Sequence, residues 1–400
     1  MDSKQIKAAL KSCAERELLE NILPFWLNKT IDEEHGGFYG GIDVDGNVIP
    51  QYHKSSVITA RILWTFSSVY LAYPEKKYLD MAHRAYEYLY NYFWDNEHGG
   101  MFWHVDYAGN PADTKKQVYS QAFAVYALCE YYRAVPDKKI LDKAVAMYRL
   151  LEEKAFDAEY NGYFEVFARD WSPLAGEKML ADDVICDKSM NTHLHVLEAY
   201  TNLARVWDDK IIREKLANLI GVTIKHIVNP GTYHFDMFFD RQWNSKVNRL
   251  SYGHDIEGSW LLYEAAEELG IPAVLEQARD VSLKMASAVL KGTSGTPALI
   301  YETEPGGPTD DDYVWWVQAE AVVGYISAYQ LSGNEDFLAR AYEIWDFTDK
   351  YVIDKENGEW FRRLSFDTRK PVANLKKADE WKGPYHNGRM CLEIIKRCQD

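Results

Sequence analysis

The sequence predicts an all-α fold: an (α/α)6 barrel, in which six helix-pair repeats close into a toroid with long loops at one mouth. Three observations predict it. A short phrase of acidic or Asn residues, glycine and aromatic residues recurs along the chain. Each phrase lies between two helical segments, and these segments alternate between amphipathic and uniformly apolar. We expect residues 1–400 to form one such barrel as a single catalytic domain.

The repeated phrase fixes the number of units. It is clearest at 34–39, 97–103, 160–164 and 356–361, and weaker at 231–235 and 295–301. Its glycines are separated by 63, 62, 69, 64 and 63 residues, counting through Gly37, Gly100, Gly162, Gly231, Gly295 and Gly358. Six units of similar length therefore fill the chain.

The spacing of apolar residues assigns each helix to a ring. Stretch 76–95 is apolar on one face and 117–134 is apolar all round, which suits an outer and an inner helix respectively. The predicted outer helices are 4–29, 76–95, 137–156, 210–227, 271–290 and 334–353. The predicted inner helices are 54–73, 117–134, 188–207, 255–269, 314–332 and 386–397. An open solenoid of six pairs is the alternative, although the last helix has the composition of an interior one.

Composition restricts the partners. The formal net charge of −16 argues against nucleic acid, whose phosphates require a basic surface. No apolar run has the length of a signal peptide or a membrane span, and the five cysteines form no CxxC pair. We therefore expect a cytoplasmic protein with reduced thiols, acting as a monomer or weak homo-oligomer. The 13 Trp, 28 Tyr and 16 Phe favour stacking platforms for sugar rings.

In a closed ring of this kind, the long loops and the starts of the inner helices meet at one mouth. Residue types suited to chemistry occur at all six starts, and this coincidence predicts a site. In chain order they are Tyr52, His53 and Arg61; Tyr119 and Gln121; Asn191, His193 and His195; His254, Glu257 and Trp260; Trp315, Trp316 and Glu320; Trp381, Tyr385 and His386.

Three histidines are the strongest candidates. His254 and Glu257 are three residues apart and share a helix face, so the carboxylate is expected to orient the imidazole and raise its basicity. His193 and His195 face opposite ways and cannot bind one metal, and His195 is expected to face inward with Asn191. His386 begins a helix after a Gly-Pro loop, where the helix N-terminus favours a neutral imidazole.

Four segments together resemble the N-acylglucosamine 2-epimerase superfamily and, within it, the cellobiose 2-epimerases. They are NTHLHVLE at 191–198, SYGHDIE at 251–257, WWVQAE at 315–320 and EWKGPYHN at 380–387. The resemblance covers the whole chain. It implies an (α/α)6 barrel, a cytoplasmic enzyme without metal or other cofactor, and an oligosaccharide substrate such as cellobiose, with lactose and mannobiose as further candidates.

The resemblance also implies roles by position. His254 and His386 resemble the two general acid/base histidines, His195 the residue that assists ring opening, and Glu257 the partner of His254. The implied substrate-binding residues are Arg61, Tyr119, Asn191, Trp316, Glu320 and Trp381. The reaction implied is 2-epimerisation of a reducing-end glucose to mannose, through ring opening, C2 deprotonation to a cis-enediolate and reprotonation on the other face.

Other functions stay open on the sequence alone. An aldose–ketose isomerase or an N-acylglucosamine 2-epimerase of the same superfamily would use the same histidines. An inverting glycoside hydrolase would need two carboxylates about 6.5–9.5 Å apart, for which Asp183, Asp187 and Asp311 are candidates. A non-catalytic sugar-binding protein would leave the pair of histidines unexplained. The sequence does not tell which histidine takes the proton from the glucose form.

Overall fold

The computed structural model describes residues 1–174, 184–293, 295–307 and 309–399. Its outer helices are α1 and α2 (Ser3–Glu17 and Leu23–Lys29), α4 (Lys76–Tyr88), α6 (Lys138–Lys154), α8 (Lys210–Val222), α10 (Pro272–Val289) and α12 (Glu335–Phe347). Its inner helices are α3 (Ser56–Ala72), α5 (Val118–Ala134), α7 (Met190–Val206), α9 (Tyr252–Leu269), α11 (Trp315–Ser332) and α13 (Tyr385–Arg397).

The inner helices form a closed ring. Each packs against the next, from α3 through α5, α7, α9 and α11 to α13, and α13 packs back against α3. This closure excludes the open solenoid and confirms the (α/α)6 barrel. The inner helices are buried on nearly all sides, whereas α4, α6 and α12 bury one face each, because only the outer ring meets water.

The first helix completes the outer ring beside the last repeat. Helix α1 packs against α12 and α13, which are more than 300 residues away in sequence. Two buried indoles join the ends of the chain: Trp26 donates to Glu359 over 3.1 Å and Trp360 donates to Glu17 over 2.8 Å. The barrel is therefore closed by contacts between the two ends of the chain.

The helix boundaries differ from the predicted ones in two ways. Four outer segments contain a π-helical turn, at Leu18–Ile22, Leu89–Phe93, Thr223–Ile227 and Thr348–Val352. Apolar spacing does not distinguish these turns from α-helix, because they shift the side-chain phase only locally. Helix α9 begins at Tyr252, three residues before the predicted start, so His254 belongs to its first turn.

The recurring Gly-aromatic phrase has a structural explanation. In four repeats, a polar side chain of the inner helix accepts a backbone N–H of the turn: Gln121 from Met101, His193 from Tyr163, Asp255 from Phe235 and Gln318 from Leu299. Gln121 and Gln318 also donate back to the same residue's carbonyl. The phrase therefore marks where each long loop is fixed to the inner ring.

A buried lysine–aspartate pair stabilises the Gly-aromatic turns of the first, second, third and sixth repeats. The pairs are Lys54–Asp32, Lys116–Asp95, Lys188–Asp157 and Lys377–Asp354, with N–O distances of 2.7, 3.0, 3.0 and 2.5 Å. Lys54 additionally donates to the Gly36 carbonyl over 2.7 Å. Short antiparallel strands, such as β1 (Lys54–Ser55) paired with β2 (His104–Val105), connect neighbouring loops. Among the described residues, none of the helices is both long and apolar enough to cross a membrane.

Candidate active site

A cavity of about 280 Å³ opens at the mouth of the barrel, where the inner helices begin. Nine of the ten predicted site residues line it: Arg61, Tyr119, Asn191, His195, His254, Glu257, Trp316, Trp381 and His386. Glu320, the tenth, lies behind His386. The structure thus brings together residues from all six inner segments, as the ring topology predicts.

His254 lies in the first turn of α9 against the indole of Trp316, with ring centroids 4.7 Å apart. Its Nδ1 is 2.8 Å from the hydroxyl of Ser251. Burial, with smaller contributions from His195 and His386, lowers the pKa of His254 to about 3. The imidazole is therefore neutral near pH 7, and a hydroxyl rather than a carboxylate orients it.

The expected pairing of Glu257 with His254 is wrong. Glu257 Oε1 instead accepts from Nη2 of Arg389 over 2.5 Å, and it lies 3.9 Å from Nδ1 of His386. A buried carboxylate is stabilised far more by a fixed cation than by a neutral imidazole. Glu257 therefore pairs with the guanidinium of Arg389. The three-residue spacing places both side chains on the inner face of α9 but does not join them.

His386, the second residue of α13, has the carboxylate partner that was expected for His254. Its Nδ1 is 2.7 Å from Oε1 of Glu320, which comes from α11. Burial lowers the pKa of His386 well below its ordinary value, and the positive charges of Arg61 and Arg389 lower it further. Trp316 also contacts this imidazole, with centroids 5.5 Å apart, so His254 and His386 share one indole neighbour.

His195 faces the cavity and His193 does not, as predicted. Nδ1 of His195 is 3.0 Å from Oε2 of Glu198, one helical turn further along α7, and burial lowers the pKa of this imidazole. His193 is held by two backbone groups: Nδ1 lies 2.7 Å from the Ser189 carbonyl, and Nε2 accepts from Tyr163 N–H. His193 therefore stabilises the fold.

Arg61 extends across the mouth from α3. Its guanidinium donates to the Trp381 carbonyl and to the Tyr119 hydroxyl, both over 2.7 Å, and lies 4.5 Å from the centre of the Phe123 ring. Buried polar atoms of three cavity-lining residues have no hydrogen-bond partner within the described part of the chain; they are Arg61 Nε, Asn191 Oδ1 and Trp315 Nε1. Unpaired buried groups at a cavity favour a ligand rich in hydroxyl groups.

The loops add residues that sequence reasoning missed. Met190, Met237, Phe238, Tyr301, Glu302, Val314, Arg362, Arg363 and Leu375 also line the cavity, together with Trp315, which was expected at the mouth. Several follow the Gly-aromatic turns, which was the available signal. The acidic run at 310–312, which contains the hydrolase candidate Asp311, is half-buried, and Asp310 and Asp312 form ion pairs with Arg363. Asp187, a candidate for hydrolysis, accepts from Arg241 N–H instead, and Asp183 lies outside the described residues.

A carboxylate–arginine cluster lies one helical turn deeper than the histidines. We define it as Glu198, Glu257, Glu320 and Arg389, all buried. The Arg389 guanidinium contacts Glu198 through Nη1, and through Nη2 it contacts Glu257 and Glu320 at 2.5 and 2.7 Å. Sequence reasoning missed Glu198 and Arg389. The available signal was a charged residue three positions after each histidine: His195 and Glu198, His254 and Glu257, His386 and Arg389.

The cluster also accounts for a possible cation site. Ligand atoms of Glu257, Glu320 and His386 all lie within 4.8 Å of one another, a grouping that could hold a metal ion. Nη2 of Arg389 contacts one oxygen of each carboxylate, and a metal ion at those oxygens would lie against the guanidinium. The cation that balances these carboxylates is therefore part of the chain.

Comparison with known proteins identifies the family. Residues 37–387 match the family N-acylglucosamine 2-epimerase (GlcNAc 2-epimerase). A cellobiose 2-epimerase from Bacteroides fragilis is 42% identical over 391 residues, covering 96% of this chain and 98% of that protein. The structure of cellobiose 2-epimerase from Bacillus thermoamylovorans B4167 has a TM-score of 0.93 and 41% identity, with 98% and 100% of the two chains covered.

A more distant structure shares only the fold. A crystal structure of D-mannose isomerase has a TM-score of 0.84 at 20% identity, with 97% of each chain covered. The chain thus belongs to the N-acylglucosamine 2-epimerase family, and it is an enzyme of the isomerase class. The resemblance noted in four segments of sequence is confirmed over the chain's length.

Proposed function

We propose that this member of the family is a 2-epimerase that interconverts glucose and mannose at the reducing end of β-1,4-linked disaccharides, cellobiose among them. Relatives about 40% identical over nearly their whole length are named cellobiose 2-epimerase. The observation that carries the proposal is that His254 and His386 line one cavity and both contact the indole of Trp316. Inversion at C2 requires one base and one acid on different faces of the carbon, and two histidines meet that need.

Ring opening comes first in the proposed reaction. A closed pyranose has no acidic proton at C2, whereas the open-chain aldehyde acidifies the neighbouring C–H. We assign this step to His195, whose Nδ1 is held by Glu198, so that Nε2 is the nitrogen left to exchange a proton with the ring oxygen or the anomeric hydroxyl. Asn191, four residues earlier on α7, offers an unpaired amide oxygen to a substrate hydroxyl.

Proton transfer at C2 follows. From one epimer His254 removes the C2 proton and becomes an imidazolium, and the C2 electron pair shifts to give a cis-enediolate. His386 then delivers a proton to the other face of C2, and the carbonyl re-forms at C1. From the other epimer the two histidines exchange roles. Arg61, fixed by Tyr119 and the Trp381 carbonyl, is placed to stabilise the enediolate oxygens.

The carboxylate–arginine cluster supplies the proton that this mechanism needs. Burial lowers the pKa of His386 far enough that the ring alone holds no extra proton at pH 7. Burial raises the pKa of Glu320 and of Glu257, and for Glu257 the charge of Glu320 adds to the effect. Two carboxylates sharing one Nη2 favour retention of a proton between them. Glu320 can pass that proton to Nδ1 of His386 while Nε2 gives its own proton to C2.

Cellobiose in D2O, followed by NMR, tests the proposal. We expect glucosylmannose as product, with deuterium incorporated at C2. A fructose-type product without the mannose epimer would instead make the protein an aldose–ketose isomerase, and release of free glucose would make it a hydrolase. His226→Ala is the matched control, because His226 stacks on Trp243 and is not among the cavity-lining residues.

A further inference from the structure

The three cavity histidines are held in two different ways. His195 and His386 each contact a buried carboxylate through Nδ1, at 3.0 and 2.7 Å, whereas His254 contacts the Ser251 hydroxyl. The two carboxylates, Glu198 and Glu320, come from different helices. Each also contacts the same guanidinium, that of Arg389.

Arg389 is placed to join these two contacts and does not line the cavity itself. It contacts Glu198 through Nη1 and Glu320 through Nη2, so its planar fork sets the positions of both carboxylates at once. The Tyr385 hydroxyl contacts Glu198 and Arg389, and the Trp260 indole donates to Glu320 over 3.2 Å. Rings of Tyr385 and Trp260 lie 4.4 and 4.8 Å from the guanidinium carbon and hold it in place.

We propose that Arg389 is a positioning residue that couples His195 to His386 through Glu198 and Glu320. The inference rests on the proposed roles of these histidines in ring opening and C2 proton transfer. A carboxylate fixes which imidazole nitrogen carries the proton, and the guanidinium fixes the carboxylate. One side chain thereby keeps the ring-opening and C2 groups in their reactive tautomers, while His254 is oriented separately.

Charge strengthens this coupling. Burial acts to raise the pKa of the Glu198 carboxyl, but the charge of Arg389 and the hydrogen bond from His195 together lower it to about 2. Glu198 is thus an anion throughout the working pH range, and its imidazole partner is held as an Nδ1–H donor. The remaining capacity of the guanidinium is divided between Glu257 and Glu320, so a change at one carboxylate redistributes the contacts of the other two.

Arg389→Lys is the first test. Lysine keeps the positive charge but lacks the planar fork whose two nitrogens contact Glu198 on one side and Glu257 and Glu320 on the other. We expect kcat/KM for cellobiose to fall roughly 100-fold, as for a misplacement of reacting groups by about 1 Å. In 15N-histidine NMR of the substrate-free protein, ring signals of both His195 and His386 are expected to shift. His193, whose two ring nitrogens pair with backbone groups, is the internal control and should not move.

Glu198→Gln provides a second test, should Arg389→Lys fail to fold. Glu198 forms hydrogen bonds with His195, Tyr385 and Arg389. Within the described residues it forms none with His386, on which it acts only through its charge. Coupling through Arg389 predicts that the His386 ring signals shift together with those of His195. A Gln variant that moves only the His195 signals would overturn the inference, as would an Arg389→Lys variant with both imidazoles unchanged.

The NMR measurement separates this inference from the proposed function, because it requires no turnover. Coupled ring signals in a protein that does not epimerise cellobiose would support the coupling and reject the function. Uncoupled ring signals in a protein that does epimerise cellobiose would support the function and reject the coupling. Arg205→Lys is a matched control for the loss of an arginine fork, because Arg205 binds Glu264 and Glu268 rather than the cavity's carboxylates.

Discussion

The turns that fix the loops and the mouth of the barrel are built from the same repeats, yet they differ in one respect. At the turns, the chemistry recurs: a lysine–aspartate pair or a polar side chain on the inner helix holds the backbone in one repeat after another. At the mouth, Arg61, Tyr119 and Trp316 come from three inner helices, and the histidines of the other three have different Nδ1 partners: Glu198, Ser251 and Glu320. Repetition therefore marks the scaffold in this chain, and departure from repetition marks the site.

The largest effect that would sharpen this contrast is loss of a mouth histidine. We expect His254→Ala and His386→Ala each to lower the turnover rate by about 10²–10⁴-fold, the usual contribution of positioned acid–base catalysis. Thermal unfolding should show that both variants remain folded. A variant of either residue that keeps more than about a hundredth of the wild-type rate would contradict its role at C2.

A scaffold residue should show the opposite behaviour. Lys54→Met leaves Asp32 as a buried charge without its cation, and we expect a loss of about 3–5 kcal/mol in the free energy of unfolding. Urea titration measures that loss. Because Lys54 does not line the cavity, the rate per folded molecule should stay near that of the wild type. A large drop in kcat at unchanged stability would place this turn among the functional elements.

Glu257→Gln tests the corrected contacts of that residue. The folded protein keeps a proton on this carboxyl above the ordinary pKa of 4.5, where the unfolded chain has lost it, so the wild type loses stability as pH rises from about 4.5. Glutamine cannot ionise. The free energy of unfolding of the variant should therefore rise relative to that of the wild type between pH 5 and pH 8. Urea unfolding at both pH values measures the difference. A difference that is constant with pH would show that Glu257 is ionised throughout.

The smallest expected effect is that of a chelator. The cation balancing Glu257 and Glu320 is Arg389, so EDTA should leave the rate of epimerisation unchanged. The measurement is the initial rate with cellobiose before and after dialysis against EDTA. A rate that falls and is restored by one divalent metal would show that a metal ion replaces the guanidinium contacts during turnover.

The fold was predictable because both of its signals lie along the chain. Glycine spacing gives the number of repeats, and apolar periodicity gives the ring to which each helix belongs. The positions of site residues were predictable within single helices. The four-residue spacing of Asn191 and His195, for example, places both on one face of their helix. The chain-wide resemblance to a family added the roles.

Partner choice was not predictable, because it depends on contacts between helices. Spacing within α9 suggested that Glu257 binds His254, but the carboxylate instead accepts a hydrogen bond from Arg389 on α13. The carboxylate for His386 comes from α11, 66 residues away. No periodicity encodes a choice among several charged groups that converge from four helices, since it follows from distance and burial.

The contacts between the chain ends have a consequence for biosynthesis. Helix α1 is translated more than 300 residues before its partners α12 and α13. At about 5–20 residues per second, roughly 20–80 s pass before both are made. During that time the apolar face that includes Leu10, Leu18 and Trp26 has no permanent cover. We therefore expect ribosome-associated chaperones to bind α1 and α2 of the emerging chain. They should dissociate only after the sixth repeat has left the ribosome.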